Sequence, residues 1–145
     1  MKRLLYLPLY FLVLLSCKKD SMEVQSAVNY GAVSSITGSW KLAETEKITI
    51  DNQTVWEAVP STQSFIIIFR NDGVILNEDE KPLCCAPTSL IINDQLLEIK
   101  PQSPIPANKD CELVNCINCP TWEIELKGNQ MIIKACNKAR MKYVR

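Results

Sequence analysis

The sequence predicts an all-β fold, an up-and-down antiparallel β-barrel of about eight strands, and three observations predict it. From Ile36 onward, apolar and polar residues alternate with a period of two in one segment after another. The segments are short and are separated by turn chemistry such as Asn71-Asp72-Gly73 and Gly128-Asn129. No stretch carries the apolar stripe of a helix longer than a turn or two. Strands that follow one another closely in sequence favour a meander over a Greek key. Closing it also protects Phe65-Ile66-Ile67-Ile68-Phe69, a run prone to aggregate if its edge were bare.

Each element has its own warrant. Trp40 and Leu42 alternate with Lys41 and Ala43, and Ile48 and Ile50 keep the same parity, so one long first strand is expected to turn at Asp51-Asn52-Gln53. Val55 to Val59 is a short strand stopped by Pro60. Phe65, Ile67 and Phe69 share one face of the next, and Val74 to Leu76 returns after the glycine turn. Ser89–Ile92 and Leu96–Lys100 flank the turn Asn93-Asp94-Gln95. Pro101 to Pro120, with four prolines and three cysteines, reads as a long loop that cross-links must restrain. Trp122, Ile124 and Leu126 alternate with Glu123, Glu125 and Lys127, as in a strand with one wet face. Gln130–Cys136 and Met141–Arg145 complete the set.

The N-terminus sets the compartment. Lys2-Arg3 precede an apolar run of 12 residues, Leu4 to Leu15. That is too short for a bilayer span, which needs about 20 residues, and suits a signal segment. Leu14-Leu15-Ser16-Cys17 resembles the lipobox of bacterial lipoproteins. The resemblance implies that residues 1–16 are removed, that Cys17 is lipidated and anchors the chain in the membrane, and that residues 17–35 are a flexible tether. Acyl chains contribute about 0.8 kcal/mol per buried methylene, so two or three make the attachment lasting. Lys18-Lys19 stand where an aspartate would signal inner-membrane retention, which points to the outer membrane of the cell envelope.

Composition excludes several classes. The chain holds 16 basic and 16 acidic residues, and loss of Lys2 and Arg3 leaves it slightly acidic, so no basic excess supports nucleic-acid binding. There is no histidine, which removes histidine-based catalysis and imidazole metal sites. Phosphate-loop, dinucleotide and Gly-x-Ser-x-Gly motifs are absent. Glu123 and Glu125 lie opposite Trp122 and Ile124 and read as solvated charges. The run Asn77-Glu78-Asp79-Glu80 lacks the spaced ligands of a calcium loop. No enzyme activity, metal or cofactor is expected.

Beyond Cys17, the six cysteines Cys84, Cys85, Cys111, Cys116, Cys119 and Cys136 suit a disulfide framework in an exported domain. Their pairing is open: Cys116 and Cys119 can close locally or reach back to Cys84-Cys85. A redox site would want Cys116-x-x-Cys119 at a helix start, but Pro120 and a strand follow it. An all-cysteine zinc site is the remaining alternative.

Gly38-Ser39-Trp40 resembles the Gly-x-Trp signature that opens lipocalin barrels, and residues 36–145 are similar to small lipocalin-like domains of bacterial lipoproteins. The shared features are Gly-x-Trp-Lys-Leu, the Asn-Asp-Gly hairpin, Trp122-x-Ile124 and the Lys142-Tyr143-Val144-Arg145 end. The resemblance implies that Trp40 closes the barrel floor and that Arg145 or Arg140 packs across its ring. It also implies a small hydrophobic ligand or lipid inside, for which Trp40, Trp56, Phe65, Phe69 and Trp122 are the candidate contacts, Trp56 at the mouth. The family's Thr-Asp-Tyr motif is missing. If side chains fill the interior, as they do in small barrels, the alternative is a module that binds a protein partner through the cross-linked Pro101–Pro120 loop.

Overall fold

The alternating segments become nine strands in the computed structural model, which describes residues 31–145. They are β1 (Gly38–Ile48), β2 (Thr54–Ala58), β3 (Ile66–Phe69), β4 (Ile75–Asn77), β5 (Ser89–Ile92), β6 (Gln95–Glu98), β7 (Thr121–Lys127), β8 (Gln130–Ala135) and β9 (Met141–Val144). Their order in the sheet is β4-β3-β1-β9-β8-β7-β5-β6, with β2 also paired to β1. The sheet curls strongly into a half-barrel.

One pairing departs from the expected all-antiparallel meander. β7 lies beside β5 and runs parallel to it, with Leu90 opposite Trp122 and Ile92 opposite Ile124. A parallel neighbour needs a crossover of about a dozen residues or more. The connection from Ile99 to Pro120 is long enough to carry the chain from β6 back across β5, so the sheet is mixed.

A second departure sits within β1. The register against β9 shifts between Leu42 and Glu44, the mark of a β-bulge. A bulge moves every later side chain to the other face. Trp40 and Leu42 are therefore buried, whereas Ile48 is 70% exposed, although sequence parity puts them on one face; Ile50 is fully exposed in the turn beyond β1.

The concave face is occupied by its own side chains. Trp40, Ile67, Phe69, Met131, Ile133 and Tyr143 are each at most 2% exposed and belong to one core cluster. Burial alone pushes the Tyr143 hydroxyl well above its ordinary titration range. At the base, residues 31–36 are helical, and Val33 and Ile36 are buried in the same cluster, so the folded unit includes a segment that the sequence reading assigns to the tether. The Trp40 indole N–H donates to the Ile36 carbonyl at 2.7 Å. Arg145, not Arg140, lies over the Trp40 ring at 4.2 Å, and its guanidinium donates to the carbonyls of Ser35 (3.1 Å) and Thr37 (2.7 Å). Residues 31–145 thus carry their own core and capped base, a unit able to fold without the anchor.

The β3–β4 turn, at one end of the sheet, meets β6 and the chain that follows it, at the other. Asp72, in the β3–β4 turn, is the buried charge of the core region. Its carboxylate accepts from Arg70 Nε at 3.0 Å and from the backbone N–H groups of Val74 (3.3 Å) and Gln102 (2.9 Å). Arg70 also donates to the carbonyls of Ser103 and Pro104. Gly73 gives the turn its left-handed φ of +84°, a conformation that side-chain-bearing residues rarely adopt. The outer edge of β4 is covered by residues 81–83, through the Leu76–Pro82 bridge and the Leu83 N–H to the Ile75 carbonyl.

The Arg70 guanidinium, followed by the two backbone donors, overcomes the opposing effect of burial and holds the Asp72 carboxyl at about 2, below its ordinary 3.8. A depressed folded-state value means that this stability is present above pH 3.8 and is lost as pH falls toward 2, by about 2 kcal/mol in all. Asp72→Asn is expected to cost about 2–3 kcal/mol at pH 7, because it leaves Arg70 without its charge partner. Denaturant unfolding of both proteins between pH 7 and pH 2 checks this: the gap should narrow on acidification, and a constant gap would count against the ion pair.

Candidate functional site

The loop between β6 and β7 is held by three covalent links. Cys84 pairs with Cys111, Cys85 with Cys116, and Cys119 with Cys136, with Cα separations of 5.2, 5.3 and 5.9 Å. Adjacent Cys84 and Cys85 thus hold two points of the loop at once. The first of these points, Cys111, lies in a short 3-10 helix, Lys109–Leu113. The Asn108 side chain caps it by accepting from the Asp110 N–H, and its amide donates to the Pro82 carbonyl at 2.9 Å. Each link closes a chain segment of 17 to 31 residues. In the chain-entropy account that is worth about 3 kcal/mol apiece.

With Cys116 and Cys119 bonded to different partners, neither the dithiol redox pair nor an all-cysteine zinc site forms in this state. Among the described residues no group of three or more potential metal ligands comes together.

Between the stapled loop and strands β7 and β8 lies a groove of about 750 Å³. Its lining is mixed: Trp122, Ala135, Val114, Ile117 and Cys85, Cys119 and Cys136 stand beside Asn115, Asn118, Asn137, Lys134, Lys138 and Glu123. Lys134 and Glu123 pair at 3.2 Å across β7 and β8, whereas Lys138 meets no acidic side chain within ion-pair distance among the described residues. Leu113 on the same loop is 92% exposed, Ile117 76% and Val114 45%.

The candidate ligand contacts from sequence do not share one place. Trp40 and Phe69 are sealed in the core at 0% and 1% exposure. Phe65 sits at the rim, 42% exposed, its ring edge-on to Tyr143 at a centroid distance of 6.0 Å. Trp56 pairs with Glu46 across β1 and β2, beyond the bulge. Its ring lies under Lys142 (4.4 Å) and Arg140 (5.6 Å), which are themselves bound to Glu44 and Glu46. The Arg140 hydrogen bond lowers the Glu46 carboxyl below its usual range. Of the five, only Trp122 lines the groove. Cys17 lies outside the described residues. Val114, Ile117 and Lys138 were not singled out by sequence; the available signal was the string Leu113-Val114-Asn115-Cys116-Ile117, apolar residues inside a cysteine-rich loop.

Comparison with protein-family models, with curated proteins and with solved structures finds no match to this chain.

Replacing Cys119 and Cys136 together by serine is expected to lower unfolding stability by about 3 kcal/mol. It should also speed protease cleavage within residues 112–120, while far-UV circular dichroism keeps its β signature. Unfolding curves and timed digests of the oxidised proteins check this; an unchanged digest would show that the Cys119–Cys136 bond is not what holds the loop.

Proposed function

We propose that this chain is a lipid-anchored protein of the bacterial cell envelope whose lipocalin-like domain is a non-enzymatic module that binds a protein partner through the stapled loop and its groove. One observation carries the reading: Leu113 and Ile117 stand 92% and 76% exposed on a segment held by disulfides. Large apolar side chains grouped on a surface mark contact sites, and a restrained loop loses little freedom when a partner orders it. The lipobox-like Leu14-Leu15-Ser16-Cys17 supports the anchor, and three disulfides are in keeping with an oxidising compartment. The finer kinship with lipocalin-like barrels draws support from Gly38 opening β1 and from Arg145 over Trp40.

A second reading, a small hydrophobic ligand, is favoured by the Trp122 groove. Its volume of about 750 Å³ is within the roughly 300–1,000 Å³ of small-molecule sites. On this reading the ligand lies under the loop, outside the concave face.

A photo-crosslinking amino acid placed at Ile117 in cells is expected to give a discrete protein adduct that disappears when Leu113→Asp is added. The same group at Glu125, on another part of the surface, should give none. Identical adducts at both positions, or none at either, would reject the loop as a contact surface.

A further inference from the structure

We infer that the groove takes the C-terminal end of a polypeptide, with its last apolar side chains on the Trp122 floor and its terminal carboxylate at Lys138. This deepens the partner-binding reading and rests on it. The lining is mixed: Val114 and Ile117 are exposed apolar residues beside Trp122, which belongs to the core at 8% exposure, while the exposed Asn115, Asn118 and Asn137 belong to the same groove. None of those three side chains makes a hydrogen bond to another described residue within the domain.

That mixture discriminates between occupants. A hydrocarbon chain would strip water from the three amides and return nothing, and an unpaired amide costs about 1–3 kcal/mol. An extended peptide carries an N–H and a C=O at every residue, which carboxamides can match as donor and acceptor. Charge then selects the end of the chain. Lys134 and Glu123 neutralise each other, so the lining carries one net positive charge, at Lys138. A terminal carboxylate complements it.

The test uses residues 21–145, exported to a bacterial periplasm so that the disulfides form. Pools of hexapeptides with three randomised apolar residues at the C-terminus are titrated as free acids and as amides, with decanoate in parallel. Binding is read by ¹H–¹⁵N shifts at Asn115, Ile117, Asn118, Trp122 and Lys138. The inference expects free acids to bind about fivefold tighter than amides, with Lys138→Gln removing that difference. Equal binding of acid and amide would overturn the carboxylate assignment and leave the partner-binding reading standing. Decanoate shifting these signals while neither peptide pool does would overturn the peptide in favour of a small ligand. If nothing binds at millimolar concentration the inference falls, and the crosslink from position 117 decides the broader reading separately.

Discussion

The connection from Ile99 to Pro120 is the constraint on which the rest of this structure depends. At its start, Gln102, Ser103 and Pro104 lock onto the buried Arg70–Asp72 pair and bring the two ends of the sheet together. Farther on, Cys111, Cys116 and Cys119 tie it to the β4–β5 segment and to the end of β8. Its length also makes the parallel β5–β7 pair feasible. One segment therefore ties the two ends of the half-barrel, carries the crossover and builds the groove. A loop this rich in proline, with few backbone hydrogen bonds of its own, would otherwise sample many shapes, and covalent closure removes that freedom chiefly from the unfolded chain.

The filled concave face and the groove are two sides of one economy of size. A chain this short can bury one core, and here the core takes the space in which a larger barrel would hold a ligand. Trp40 illustrates this: its ring is sealed by Ile36 below and Arg145 above, a cation–π contact worth about 0.5–2 kcal/mol. Recognition is then left to surface that the core does not need. The disulfides let the loop expose Leu113 and Ile117 without the chain having to bury them for stability.

Charge is used sparingly and in pairs. Arg70–Asp72 is nearly enclosed and supports the seam, whereas Lys134–Glu123 is exposed and contributes little to stability. Trp56 shows how a residue that looks like a ligand contact in sequence becomes structural: Arg140 and Lys142, each satisfied by a glutamate, cover its ring. Lys138 stands apart from this pairing and gives the groove its sign.

Period-two alternation made the strands legible from the sequence alone, since a side chain's face follows from its parity wherever the strand is regular. It gave the buried faces of β3 and β7 and placed Trp122 among the residues of interest, while turn, proline and cysteine residues located the turns and the cross-linked loop. Alternation could not reveal the bulge after Leu42, because a bulge is a mismatch between two strands and one strand's pattern does not contain it; Ile48 was misassigned for that reason. Nor could it reveal the β5–β7 pairing or which cysteine meets which. Those depend on how far the β6–β7 connection travels before it returns, and so does the groove, whose lining comes from chain segments near Cys85, Val114 to Cys119, Trp122 and Lys134 to Lys138. Local pattern thus named the strands and turns but not the short helix at residues 31–36, and which segments meet followed from the fold, because contacts between distant residues are set by packing of the whole chain.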